Sequence, residues 1–308
     1  MGRLARPTWS EKDDTVLGHE SVCLAVRPDA KEVRSASVAP PRVRPSRWRL
    51  TLFRVLAVLL GLVYLPGALL LAAPWAPSSM ATALPPLSPL IWAWGQAAHP
   101  DLQRWTFALS AVVDVAIAVI LLCLAWRPLA RPLLAQFLAL ALVVDLVANA
   151  PFVPGIIVGY SPLLLLLVVY PEPRCLLTPI WRGPPDGRLL ALAVAAGVVL
   201  FPSLWQALQA QVAGADELAL NYGWASTVEH LVNLWLIALL AASRRPGSTL
   251  LALLVAACLL YLGVASIGVP GNPGSWGFPG GAIAIAGGAT YLALTLPALL
   301  RVPLPPTG

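Results

Sequence analysis

The sequence predicts an all-α fold, a polytopic bundle of about eight transmembrane helices with both termini cytoplasmic, and three observations carry that expectation. Of 308 residues, 58% are apolar and only 11% charged, where a soluble domain carries roughly 25% charged residues. The apolar residues fall into stretches near the ~20 residues that a bilayer core demands. The basic residues between those stretches fall on alternate loops, as the positive-inside bias requires. A mean hydropathy of +0.78 leaves too little polar surface to cover a water-soluble globule. A cytosolic enzyme, a secreted disulfide scaffold and a nucleic-acid-binding domain are thereby excluded.

Residues 1–49 are polar, poor in aromatics and interspersed with Pro and Ser, a composition that predicts a disordered cytoplasmic tail. No apolar signal region sits near the start. Eleven of the 20 Lys+Arg precede residue 55, and Arg42, Arg44, Arg47, Arg49 and Arg54 form a run without an acid. Set against the first apolar stretch, that run fits anionic lipid headgroups. A nucleic-acid partner would need aromatics interleaved on a folded platform, and none is expected.

The bundle, 50–301, is read as passes at 52–73, 106–126, 132–150, 151–170, 188–207, 226–243, 248–268 and 280–300, followed by a short cytoplasmic tail, 302–308. As one helix, 132–170 would rise about 58 Å, nearly twice the ~30 Å hydrocarbon thickness. Pro151 and Pro154 divide it, though the second piece is short enough to be a re-entrant hairpin. Arginine placement favours eight crossings. With the N-terminus inside, Arg127 and Arg131, then Arg174, Arg182 and Arg188, then Arg244 and Arg245, and finally Arg301 all fall inside, leaving Arg104 alone outside. Trp48, Trp75, Trp105, Trp126, Trp181, Trp205 and Trp224 fall near predicted helix ends, where interfacial rings belong. Pro86–Gln96, with Trp92 and Trp94, is too short to span and is expected along the outer interface. The glycine triplets of Gly268–Gly280 are expected to form an extended outer turn, and Arg244–Arg245 an orientation anchor. Arg outnumbers Lys 18 to 2, which suits a high-GC genome and a bacterial inner-membrane setting.

Ionisable residues inside a bilayer are costly and mark function by default. Asp114, Asp145, Glu229 and His230 all fall in the predicted outer half. Each joins a polar stripe at the three- and four-residue spacing of one helix face: Thr106, Ser110 and Asp114; Asp145 and Asn149; Ser226, Glu229, His230 and Asn233. Ser203, Gln206 and Gln209 make a fourth stripe at the outer end of the fifth pass. Since lipid penalises such faces, they are expected to turn inward around one outward-facing polar cavity. The candidate ligand or proton-relay residues are therefore Asp114, Asp145, Asn149, Gln206, Glu229, His230 and Asn233.

Several readings of that set stay open. Polar side chains pack bundles by bonding between helices. Acidic groups and an imidazole around a cavity would bind a small polar or cationic solute and relay protons. An enzyme at the outer leaflet would use His230 as base, oriented by Asp145 or Glu229, with Asp101, Asp216 or Glu217 assisting a water nucleophile. No G-x-S-x-G or H-E-x-x-H occurs, so no metal or cofactor is expected. The cysteines lack ligand spacing. The Gly and Ala of the last two passes (Gly263, Ala284, Gly287, Gly288) suit close helix packing or an oligomer seam.

Overall fold

The computed structural model describes residues 46–76, 100–149, 156–181 and 183–300, and every regular element among them is helical. The basic run up to Arg44, the stretch Pro86–Gln96, His99, Pro151–Pro154 and the C-terminal tail lie outside the described residues. Among the described residues eight helices build the bundle: α1 Arg47–Tyr64, α2 Arg104–Trp126, α3 Pro132–Asn149, α4 Ile156–Val169, α5 Gly187–Ala213, α6 Gly223–Ala241, α7 Ser248–Gly268 and α8 Gly277–Leu300, with a one-turn helix, Glu217–Leu220, capped by Asp216 between α5 and α6. A 3₁₀ segment, Leu65–Ala72, extends α1 where Pro66 removes a helical donor. Seven helices among the described residues are long and apolar enough to cross a membrane. The protein is a membrane-embedded all-α bundle.

Helix α2 is the axis. It packs against α1, α3, α6 and α7, and most of its side chains are buried, among them Leu109, Val113, Ile120 and Leu124. By contrast α1 buries only the stripe Phe53, Ala57 and Gly61 at four-residue intervals. Its other faces leave Val55, Leu59, Leu62 and Val63 exposed, as a lipid-facing helix requires. Helix α5 is similarly peripheral and packs mainly on α6, where the Trp235 indole donates to Ala193 O at 2.9 Å across Gly197. Helices α7 and α8 form the most intimate pair. A Cβ on Gly263 would come within 2.6 Å of Gly281 O, and one on Gly288 within 2.9 Å of Ala256 O. These small residues serve contact within the chain.

Hydrogen bonds fix the helix directions. Arg49 donates to Val168 O (2.8 Å) and Val169 O (3.2 Å), and Tyr170 to Pro128 O (2.9 Å). Gln136 donates to Thr178 O at 2.7 Å, and Asp186 N to Ala242 O at 2.8 Å. The start of α1, the α2–α3, α4–α5 and α6–α7 connections thus meet at one end, which carries Arg127, Arg131, Arg174, Arg188, Arg244 and Arg245. At the opposite, arginine-poor end, Gln103 donates to Glu217 (3.2 Å) and Trp105 N to the Asn272 side chain (3.1 Å). Successive helices therefore alternate in direction, α4 included, although its 14 residues rise only about 21 Å.

The arginine-rich end is tied by side chains that reach backbone acceptors. Arg245, expected as a simple anchor, instead donates to Gln136 Oε1 (2.5 Å), Pro179 O (3.2 Å) and Thr178 Oγ1 (3.3 Å). Asp186 caps α5 by accepting from Arg188 N and Leu189 N and also pairs with Arg244 at 3.4 Å. Of the tryptophans placed at helix ends, Trp48, Trp75, Trp126, Trp181 and Trp205 are exposed, whereas Trp105 and Trp224 are buried. Trp105 is enclosed because it packs edge-on against Trp276, at 5.0 Å between ring centres. Trp224 turns inward because its indole N–H donates to both oxygens of Asp216, at 3.0 and 2.9 Å.

Candidate functional site

Three helices carry the buried polar groups into one place. Asp114 lies ten residues into α2, about 15 Å from its arginine-poor end at 1.5 Å per residue. Asp145 and Asn149 close the same end of α3, and Glu229, His230 and Asn233 occupy the second and third turns of α6. Helices α2, α3 and α6 pack on one another, so stripes four residues apart on each face inward together. Every one of these six side chains is buried, from 0% exposed at Asn233 to 9% at Glu229. The sequence leads one to expect an open chamber; here the polar groups close on one another instead.

The contacts form a network, not isolated pairs. Asn149 Nδ2 donates to Glu229 Oε2 at 2.5 Å and to Asp145 O at 3.0 Å. Asn233 Nδ2 donates to Asp145 Oδ1 at 2.8 Å. The Asp145 and Glu229 carboxyl groups interact electrostatically within this network. Tyr160 of α4 donates its hydroxyl to Glu229 Oε2 at 3.3 Å. Asp114 interacts electrostatically with His230, Glu229 and Asp145, and Tyr64 of α1 with all three carboxyl groups. Five helices contribute to the cluster.

His230 is held by its own helix. Nδ1 lies 2.6 Å from Ser226 O and 3.2 Å from Ser226 Oγ. A carbonyl oxygen only accepts, so Nδ1 carries a hydrogen, and Nε2 is the atom left to accept or bear a second proton. The expected orientation of His230 by Asp145 or Glu229 is therefore replaced by one from the Ser226 carbonyl, which an α-helix offers at i−4. The acids expected to assist a water nucleophile are also engaged. Asp216 accepts from Ala219 N and Trp224, Glu217 from Gln103, and Asp101 is ion-paired with Arg104.

Gln206 is not part of the cluster. Helix α5 does not end near residue 207 but continues to Ala213, with Gly214 in the left-handed conformation as its stop. Gln206 is exposed and, with Ser203, lines a separate polar cavity of about 330 Å³ beside Asn272 and Ser275. The buried amide of α5 is instead Gln211, which donates to Ala219 O and accepts from Ala225 N, both at 2.9 Å. It thereby occupies a free donor at the start of α6.

Toward the arginine-rich end the cluster is closed by apolar side chains. Ile117, Ile120, Leu121 and Leu124 follow Asp114 along α2, and Phe137, Leu138 and Ala141 precede Asp145 along α3. Among the described residues, no three His, Cys, Asp or Glu side chains gather as a metal ion would need. Comparison with protein-family models, curated proteins and solved structures finds nothing that matches this chain.

Proposed function

We propose that this protein binds protons within the membrane and couples them to a small polar or cationic solute, through a site built from Asp114, Asp145, Asn149, Glu229, His230 and Asn233. The observation that supports the reading most is the burial of the Asp145 and Glu229 carboxyl groups in one hydrogen-bonded network, where each accepts from an amide side chain of another helix. Three bare carboxylates at insertion costs of about 2.5–3.5 kcal/mol each would offset much of a domain's stability of about 5–15 kcal/mol. A proton held between two of them, or a cation beside them, removes that cost. Packing alone would be served by neutral amides and hydroxyls, as it is at Gln136 and Gln211.

In this reading the arginine-rich end faces the cytoplasm of a bacterial inner membrane, eight crossings put both termini there, and Arg42, Arg44, Arg47, Arg49 and Arg54 lie against anionic headgroups. The apolar layer from Ile117 to Leu124 is the cytoplasmic barrier, and solute enters from the opposite end when the cluster opens. His230 Nε2, unclaimed by its own helix, relays protons between Asp114 and the carboxyl pair.

Infrared spectroscopy of the reconstituted protein at neutral pH tests the reading. The carbonyl band of a protonated carboxyl group is expected in the wild type and absent from the Asp145→Asn, Glu229→Gln double variant. Uptake from a panel of small amines and amino acids, driven by an imposed proton gradient, should depend on Glu229. Absence of the protonated-carboxyl band returns these residues to a packing role.

A further inference from the structure

Away from the acidic cluster, an apolar groove runs between α5 and α8. It holds about 450 Å³ and is lined by Leu192, Val199 and Leu200 on one side and by Ile283, Gly287 and Tyr291 on the other. Its upper end is shared: Ser203 and Trp276 line both this groove and the polar cavity that contains Gln206, Thr227, Asn272 and Ser275. The indole Nε1 of Trp276 is buried and has no hydrogen-bond partner among the described residues. A buried donor without an acceptor costs about 1–3 kcal/mol, and the residue that carries it stands where the two spaces join.

We infer that groove and cavity together are a binding site for an uncharged, hydroxyl-bearing amphiphile with one long acyl chain. The chain lies between α5 and α8, and the head occupies the cavity at the arginine-poor end. Three features select this ligand class. From Trp276 to Tyr291 the groove follows about 22 Å of helix, enough for a chain longer than one leaflet's share of the ~30 Å core. The groove walls are apolar almost throughout, while Ser203, Gln206, Thr227, Asn272 and Ser275 offer both donors and acceptors to a polar head. None of the residues lining either space is charged, so a phosphate or carboxylate head would be buried without a counter-charge, whereas hydroxyl and ester oxygens would be satisfied. This site is separate from the acidic cluster, and its failure would leave the proton-binding proposal untouched.

The test is retention of a radiolabelled monoacylglycerol by the full chain in detergent micelles, against lysophosphatidic acid carrying the same acyl chain. Near-stoichiometric retention of the first and about tenfold less of the second is expected. Gly287→Leu fills the groove, because a Cβ there meets only Leu259, at 3.7 Å, and should lower retention about tenfold. Gln206→Ala, at an exposed position that leaves the helices intact, should weaken monoacylglycerol binding on its own and keeps the test informative if Gly287→Leu folds poorly. Equal retention of the two lipids, no retention by the wild type, or full retention by both variants overturns the proposal.

Discussion

The α7–α8 seam lends itself to a perturbation whose size follows from geometry. A methyl group at Gly263 would sit 2.6 Å from the Gly281 carbonyl oxygen and 2.6 Å from Ile285 Cγ1, about 0.9 Å inside an ordinary contact of about 3.5 Å. The oxygen belongs to the backbone of α8 and cannot rotate away, so the helices must separate over at least a turn. Overpacking of this kind costs about 1–3 kcal/mol, and replacing Gly by Ala in a helix returns at most about 1. Gly263→Ala is therefore expected to destabilise the protein, by up to about 2 kcal/mol once that return is subtracted. Gly288→Ala, whose Cβ would lie 2.9 Å from Ala256 O, should be similar. Gly287→Ala is the control on the adjoining face: nothing there is nearer than 3.7 Å, and the variant should be neutral or slightly stabilising. Reversible unfolding of the three variants in mixed detergent micelles reads the differences. If Gly287→Ala proves as costly as Gly263→Ala, the substitutions act through something other than helix approach, and the intrachain seam is refuted.

Removing the Arg245 guanidinium strips Gln136 Oε1 and Pro179 O of their donor, so Arg245→Ala should cost about 1–3 kcal/mol. It should also speed amide exchange across residues 171–181, and Arg245→Lys should rescue it poorly because a point charge cannot fork between acceptors. Asp216→Ala removes both a helix cap and the partner of the Trp224 indole, with an expected loss of about 0.5–2 kcal/mol and a red shift in tryptophan emission. Asn233→Leu deprives Asp145 of its amide donor and should destabilise by about 1–3 kcal/mol; Asn233→Ser, which keeps a donor, should recover part of that, as measured by thermal unfolding in detergent.

Helices were legible in the sequence because the bilayer imposes length and apolarity together, and five of the seven long helices lie within four residues of the stretches read from hydropathy, while α1 starts five residues early and α5 runs on six further. The inward faces of α2, α3 and α6 were legible too, since a helix that must shed polar groups from lipid has one direction in which to turn them. Gln206 misled because its stripe was read on a helix ending near residue 207, whereas six more residues of α5 bring Gln211 to the buried face instead. Tyr64 and Tyr160 sit within stretches read on apolarity alone, and nothing local announces that the Tyr160 hydroxyl reaches Glu229, 69 residues away. Asn272 and Arg245 act across 167 and 109 residues, so no spacing within a helix announces them. The left-handed backbone at Gly274 and Gly277 shows that two of the triplet glycines are turn residues that bring Asn272 over the start of α2.

The two ends of the bundle use their polar groups differently, and this bears on where motion can occur. At the arginine-rich end Arg49, Gln136, Tyr170 and Arg245 donate chiefly to backbone carbonyls. A carbonyl accepts whatever the pH, so those ties hold through any change in protonation. In the acidic cluster the bonds between helices run from side chain to side chain and end on carboxyl groups. A carboxyl group changes from acceptor to donor when it gains a proton, so adding or removing one proton at Asp145 or Glu229 rewrites contacts among α3, α4 and α6 at once. If the proposed proton binding holds, the rearrangement that follows it is expected in the arginine-poor half, with the other end fixed. Amide exchange in α6 before Asn233 should respond to Glu229→Gln, while exchange at 171–181 should not; equal responses at both ends would show that the bundle moves as one body.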